Sequence, residues 1–360
     1  MLNFYPGPSK LNARISQYYQ EAVASGILEK NHRSTDFELL YQHVKELFHA
    51  KLSMPQDYSL LFVSSATECW EIISQSLIDD GSTHFYNGAF GRKWFDYAAK
   101  INPTSAGYEF QLEGSPILTT DLSGNELLAF TQNETSNGTQ LSIEVQQDIR
   151  KKYPNQLIAY DATSSLGGIY MDWTVADIWF ASVQKCFGLP SGLGVLIVND
   201  RAIDRAKLLG DREYYNSLLI MLENAAKNQT HYTPNISNIY LLSRLLEERE
   251  YIGIIGVDLE ERARMLYVEL EKLRSVKPLV KKAEFRSSTV ITLVGRIEII
   301  SNLKNEASKQ GVVLGNGYGQ LRDSTVRIAN FPAITNKDFD RLLLFLSDFD
   351  KMYGKLVLRS

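Results

Sequence analysis

The sequence predicts an α/β fold in two unequal parts: a large domain around a mostly parallel sheet with helices on both faces, and a small α+β domain at the C-terminal end. Three observations predict it. Between residues 58 and 200, short β-prone apolar runs alternate with segments of helical period, the pattern of strand-helix-strand crossovers. Those runs end in small and polar links, as strands do at the ligand-binding edge of a parallel sheet. After residue 256 the order becomes helix, strand, helix, strand and helix, with a glycine-rich GNGYG link. The 360 residues also exceed the ~250 to 300 at which a single core stops growing. The expected boundaries are an arm over 1–12, a large domain over 13–255 and a small domain over 256–360.

The turn dipeptides of FYPGPSKL suit an extended arm. Residues 13–26 have helical spacing and stop at Gly26. Ser34 or Thr35 can cap a helix whose apolar positions Phe37, Leu40, Val44, Leu47 and Phe48 recur at three and four. His32 and Arg33 lie on the loop before it, either an anion-binding pair or a plain capping loop. YSLLFVSSATECWEIISQSL reads as a buried strand, a small-residue turn and a helix. Ser64, Ser65, Ala66 and Thr67 then bring backbone N–H groups and the positive helix end together, an arrangement that holds phosphate. The strand THFYN leads to Phe90, which precedes a helix carrying Trp94 and Tyr97; such aromatics serve either a core or a ligand platform. After a strand near 107–110, ELLAFTQNETSNGT gives a strand ending in the donor and acceptor cluster Asn133, Glu134, Thr135 and Asn137. A helix over 142–152 follows, then NQLIAYDATSSLGG.

Asp161 ends the apolar strand of that segment. A carboxylate there either caps the next turn or faces a positive charge that offsets its desolvation. Lys185 lies in a polar link between two apolar runs, 177–183 and 194–198. It either reaches for water, as strand-end lysines do, or serves as an amine whose pKa is lowered by burial and which condenses with an aldehyde. One strand-loop-strand excursion separates the two, so the sheet collects Thr67, Thr135, Asp161 and Lys185 at its carboxyl edge. Beyond them, helices are expected over 201–207 and 236–250, with the proline-containing loop NQTHYTPN between. Arg327, within the apolar strand TVRIANF, is read as a carboxylate clamp, the alternative being an edge arginine facing water.

A formal net charge of −4 argues against nucleic acid as the partner, because phosphate-backbone binding needs clustered excess Lys and Arg. Only Cys69 and Cys186 are present, without a CxxC, so neither a disulfide framework nor a metal site is expected. No basic-then-apolar leader and no apolar run of ~20 residues occurs, so a cytoplasmic location without membrane attachment is expected. GxGxxG and GxxxxGK[ST] are both absent, which removes the usual dinucleotide and P-loop glycines.

The ordered set FYPGP, HRSTDF, SSATE, GAFG, NET, YDATSS, SVQKCFGLPSGLG, YTP and VRIANF resembles the class V pyridoxal-phosphate aminotransferases over almost the whole chain, most closely their phosphoserine branch. The resemblance implies the fold type I architecture with a seven-stranded sheet, a pyridoxal 5'-phosphate coenzyme, and a homodimer with active sites shared across its interface. It makes Lys185 the lysine bonded to the coenzyme and Asp161 the acid paired with the ring nitrogen. Gln184, Ala66 and Thr67 match phosphate contacts, Thr135 the residue near the 3-hydroxyl, and Phe90 the ring-stacking position, where phosphoserine aminotransferases usually carry tryptophan. Thr233 matches a residue sent to the neighbouring subunit's phosphate. His32 and Arg33 match an anion-binding pair and Arg327 the grip on the substrate carboxylate. Gln320 and Leu321 stand where the family carries a second His-Arg pair, with Arg322 as the nearby substitute. The implied reaction is ping-pong transamination of phosphoserine with 2-oxoglutarate, in serine biosynthesis. The alternatives are an alanine- or serine-glyoxylate (or pyruvate) aminotransferase of the same class, a cysteine desulfurase, whose chemistry needs a mobile thiol near the small domain, and a non-catalytic coenzyme-binding protein.

Overall fold

The computed structural model of the chain describes residues 1–116 and 126–357, with side chains to residue 354. Its first strand, β1 (Leu2–Phe4), belongs to the smaller of two main sheets. The larger sheet takes β2 (Tyr58–Val63), β3 (Ser82–Tyr86), β4 (Ala106–Glu109) and β5 (Leu127–Thr131). A two-stranded ladder of β6 (Asn133–Glu134) and β7 (Thr139–Gln140) intervenes before β8 (Leu157–Asp161), β9 (Ile178–Ser182) and β10 (Gly194–Asn199). The seven strands lie in the order β2-β10-β9-β8-β5-β3-β4. Neighbours are parallel except at β10, which runs antiparallel to both β9 and β2. The carboxyl ends of β2, β3, β5, β8 and β9 therefore open along one edge, the place where α/β sheets bind ligands.

Alternation along these strands feeds two apolar layers, as a sheet covered on both faces requires. Leu60 and Phe62 of β2, with Ile158 and Tyr160 of β8, pack into one; Leu61 and Val63, with Leu157 and Ala159, pack into the other. The helices that cover them begin on side-chain caps: the Ser34 hydroxyl accepts from the Phe37 N–H for Thr35–Leu52, and Ser65 from Glu68 for Ala66–Ser76. Such caps replace hydrogen bonds that the first turn cannot make within the helix. Phe90 lies inside the first turn of the helix Ala89–Ile101, one residue past its start. No helical period marks 208–235, yet Leu218–Ala225 forms a helix; its two turns, LLIMLENA, are apolar throughout the first five residues and so give no periodic signal.

The smaller sheet adds β11 (Lys277–Pro278), β12 (Val290–Val294), β13 (Val312–Asn316) and β14 (Thr325–Ala329) in the order β1-β13-β14-β12-β11. Its own apolar cluster includes Phe4, Leu266, Ile291, Ile328 and Phe345. The helix Ile252–Lys272 runs unbroken into this part of the chain, and Asn336–Val357 closes it. β1 pairs parallel with β13, Leu2 opposite Val312. Among the described residues no helix is long and apolar enough to cross a membrane.

At the edge opposite the ligand end, the Asp177 carboxylate is 1% exposed. It accepts from the Ile158 N–H at 2.8 Å and the Asn199 amide at 3.0 Å, and pairs with Arg150 and Arg201. It thus ties β8 to the links that flank β9 and β10. Removing one partner of a buried ion pair leaves the others uncompensated. We expect Asp177→Ala to lower the unfolding free energy in a denaturant titration by about 3 kcal/mol; a loss below about 1 kcal/mol would mark the pair as incidental.

Candidate active site

At the carboxyl edge of the larger sheet lies a cavity of about 230 Å³, lined on its floor by Asp161, Gln184 and Lys185. The fold delivers each of them. Asp161 is the last residue of β8, and Lys185 stands three residues beyond the end of β9. Ala66 and Thr67 open the helix after β2, and Phe90 lies in the helix after β3. Thr135 lies in the turn between β6 and β7, which prolongs β5. All of these residues line the one cavity, so the amine and the acid share it.

Lys185 is 8% exposed. Burial, aided by the positive charge of Arg327, pulls its amine down from 10.5 to about 8, against the opposing attraction of Asp161. Its Nζ stands 5.8 Å from the centre of the Phe90 ring. Gly7 backs the lysine: a Cβ there would lie 2.6 Å from Nζ, and its φ of +148° is one that other residues rarely adopt. Burial pushes Asp161 up to about 6, against hydrogen bonding from Thr163, whose N–H meets Oδ1 at 2.9 Å, and the pull of Lys185.

A network of buried polar groups fixes the wall formed by residues 133–135. The Asn133 amide and the Thr135 hydroxyl both donate to Ser164 Oγ, at 2.7 and 2.8 Å. From the smaller sheet's side, Ser287 Oγ donates to Asn133 Oδ1 at 2.6 Å and Thr289 to the Ser164 carbonyl at 2.7 Å. Glu134, 1% exposed, accepts from the Ser136 N–H and hydroxyl and from the Gly91 N–H at 3.1 Å, which anchors the helix carrying Phe90. Arg327, 4% exposed on the central strand of the smaller sheet, donates from Nε to the Asn316 carbonyl at 2.7 Å and from Nη1 to the Thr135 carbonyl at 3.0 Å. Its position inside the sheet removes the reading of an edge arginine facing water.

The family model described as "Aminotransferase class-V" matches residues 99–321. The chain belongs to the class-V aminotransferases. It is 34% identical to a phosphoserine aminotransferase from Cytophaga hutchinsonii of known crystal structure, with a TM-score of 0.91 over 96% of this chain and 98% of that one. A phosphoserine aminotransferase from Rhodococcus opacus is 28% identical, across 93% of this chain and 91% of the relative. Alanine-glyoxylate aminotransferase from Nostoc sp. shares the fold, with a TM-score of 0.81, 19% identity, and coverage of 96% of this chain and 94% of that one. The architecture is that of the fold type I aminotransferases, and the protein is an aminotransferase enzyme.

Not every residue singled out from the sequence of this class-V aminotransferase meets at the cavity. Within one chain His32 is half-buried and Arg33, Thr233 and Arg322 are exposed, and none of the four lines it. Trp70, Lys93, Thr131, Ser182, Gly7 and Pro8 do line it. The sequence signal for Thr131 and Ser182 was available, since both end sheet strands; Gly7 and Pro8 arrive from the far end of the chain. Tyr318 also escaped notice: it stacks on Phe90 with ring centres 4.8 Å apart.

The cavity fits pyridoxal phosphate on its own donor set. An amine, a carboxylate and a flat aromatic line it together, and the helix Ala66–Ser76 opens on it with its positive end, which favours an anion. Gln184 Oε1 and Thr131 Oγ1, on two cavity-lining residues, have no protein partner although buried, as groups awaiting a ligand do. Cys69 and Cys186 are both buried, and burial raises both thiols, so the mobile thiolate of a cysteine desulfurase is missing from the described residues. Because its pKa is lowered, Lys185 sheds its proton earlier than a surface lysine. In the coenzyme-free protein, acylation of Lys185 followed by peptide mass spectrometry should rise with a midpoint near pH 8; a midpoint at the ordinary 10.5 would refute the desolvated amine.

Proposed function

We propose that this enzyme transfers the amino group of phosphoserine to 2-oxoglutarate, using pyridoxal 5'-phosphate held at Lys185. The observation that carries the reading is that Lys185 and Asp161 line one cavity with Phe90, while Arg327 stands behind its Thr135 wall. When bound, pyridoxal phosphate supplies an aldehyde that condenses with amines and a ring that accepts the electrons left when an α-proton departs.

The chain's own residues do the rest. Lys185, with an amine pulled down to about 8, would hold the coenzyme covalently and, once displaced by the substrate, act as the base that moves the α-proton. Asp161 would face the ring nitrogen. Its carboxyl is costly to ionise in this buried place, and a protonated ring nitrogen provides the opposite charge it lacks. Phe90 would lie against the ring, and Thr135 beside its 3-hydroxyl. Ala66, Thr67 and Gln184 would meet the phosphate, at the positive end of the helix Ala66–Ser76. Arg327 would bind the substrate α-carboxylate.

The reading includes a homodimer in a cytoplasmic setting. Thr233 would reach the coenzyme phosphate of the partner subunit, and His32 with Arg33 would serve as an anion-binding pair at a site completed by that subunit, which accounts for their lying away from the cavity of their own chain. The amino-acid and 2-oxo-acid substrates are its small-molecule partners. A second reading is supported by the Gln320–Leu321 link. No cation stands at those two positions and Arg322 is exposed, so a smaller amino acid such as alanine or serine, with glyoxylate or pyruvate, is the competing pair.

Borohydride reduction of the holoenzyme followed by peptide mass spectrometry should find the coenzyme on Lys185. Lys185→Ala should retain coenzyme on gel filtration and lose turnover by roughly 10³-fold or more. Phosphoserine with 2-oxoglutarate should give the highest kcat/KM of the substrate pairs; turnover of alanine or serine with glyoxylate but not of phosphoserine would select the second reading.

A further inference from the structure

We infer that Tyr318 is a positioning residue that sets the Arg327 guanidinium for the substrate carboxylate and couples it to the aromatic wall of the cavity. The inference rests on the reading of Arg327 as the carboxylate clamp. Tyr318 belongs to the GNGYG link between β13 and β14 and is half-buried. One neighbour of its ring is Phe90, with ring centres 4.8 Å apart and planes 28° apart. Another is Arg327, whose Cζ stands 5.7 Å from the ring centre. The tyrosine thus links a helix packed on the larger sheet to a strand of the smaller one.

The guanidinium needs such a neighbour. A carboxylate is gripped best by a planar fork held in a fixed orientation. Two of the three Arg327 nitrogens are spent on carbonyls, Asn316 at the end of β13 and Thr135 in the wall of the cavity. Those bonds, made from two different edges of the guanidinium, hold it in its plane, and an aromatic face adds an attraction that further restrains the group. The link is shaped to deliver the ring. Gly317 is packed so closely that a Cβ there would lie 2.8 Å from Arg322 Cα, and Gly319 has a φ of +55° while approaching Ala89, at the start of the helix that carries Phe90.

A purely structural tyrosine would lower stability or coenzyme uptake when removed. A positioning tyrosine changes recognition of carboxylates. The test is made on the holoenzyme, with steady-state kinetics and inhibition by maleate, a dicarboxylate that cannot react. Tyr318→Ala should raise KM for the amino acid and the oxo acid, and the maleate inhibition constant, by roughly five- to tenfold. It should leave kcat within about twofold and coenzyme retention on dialysis unchanged, while Tyr318→Phe restores wild-type constants because the ring remains. Arg327→Gln should raise the same constants further, and adding Tyr318→Ala to it should change them little, since residues acting on one interaction are not additive. Unchanged KM and maleate inhibition in Tyr318→Ala, beside a raised KM in Arg327→Gln, would overturn the inference and leave the clamp reading intact. Unchanged constants in Arg327→Gln as well would remove the clamp reading and the inference with it.

Discussion

Keeping one amine out of water is the constraint to which the rest of the molecule answers. Lys185 is enclosed by the strand ends of the larger sheet, by Gly7 from the first residues of the chain and by the ring of Phe90. An ammonium in that place is costly, and the positive field of Arg327 makes it costlier. The result is an amine closer to its neutral, nucleophilic form at physiological pH than any surface lysine. Asp161 responds to the same burial with the opposite sign, because there it is the carboxylate that loses solvation.

Holding this arrangement requires the two sheets to share hydrogen bonds, and the turn after β5 is where they do. Asn133 joins Ser164 behind β8 to Ser287 ahead of β12, and the Thr135 carbonyl receives Arg327 from β14. These are buried polar groups, so leaving any of them without a partner would cost more than the bond itself contributes. The network therefore fixes how the arginine stands relative to the lysine, and a ligand that touches both reads that separation.

Much of this was legible in the sequence, for a physical reason. Strand ends in a parallel sheet fall along one edge, so an apolar run ending in Asp161, another followed by Lys185 and a third followed by Asn133 and Thr135 must meet there. The helix start at Ala66 was equally readable, because a small-residue turn after a buried strand has few other shapes. Local patterns could not reveal partners that arrive from a distance. Gly7 reaches Lys185 across almost half the chain, and Tyr318 reaches Phe90 from a link between strands of the other sheet. For the short helix Leu218–Ala225, eight residues were too few to show a period. His32, Arg33 and Thr233 carry family motifs but do not line the cavity of their own chain, since a motif is a local string and does not by itself say where in space its residues come to lie.

The pairing of Leu2–Phe4 with residues 312–314 bears on the order in which the protein is built. On the ribosome, every strand of the larger sheet emerges before β13 exists, so the first residues must wait, unpaired, for most of synthesis to pass. The segment just after them is tied to the larger sheet's own link, the Ser9 N–H to the Gln184 carbonyl and the Asn12 N–H to the Gly188 carbonyl, so Gly7 sits between an anchor available early and a strand that closes late. Arg327, whose charge also bears on the amine, comes from β14, the last strand to be made, and Lys185 therefore acquires its full surroundings only when both ends of the polypeptide are in place.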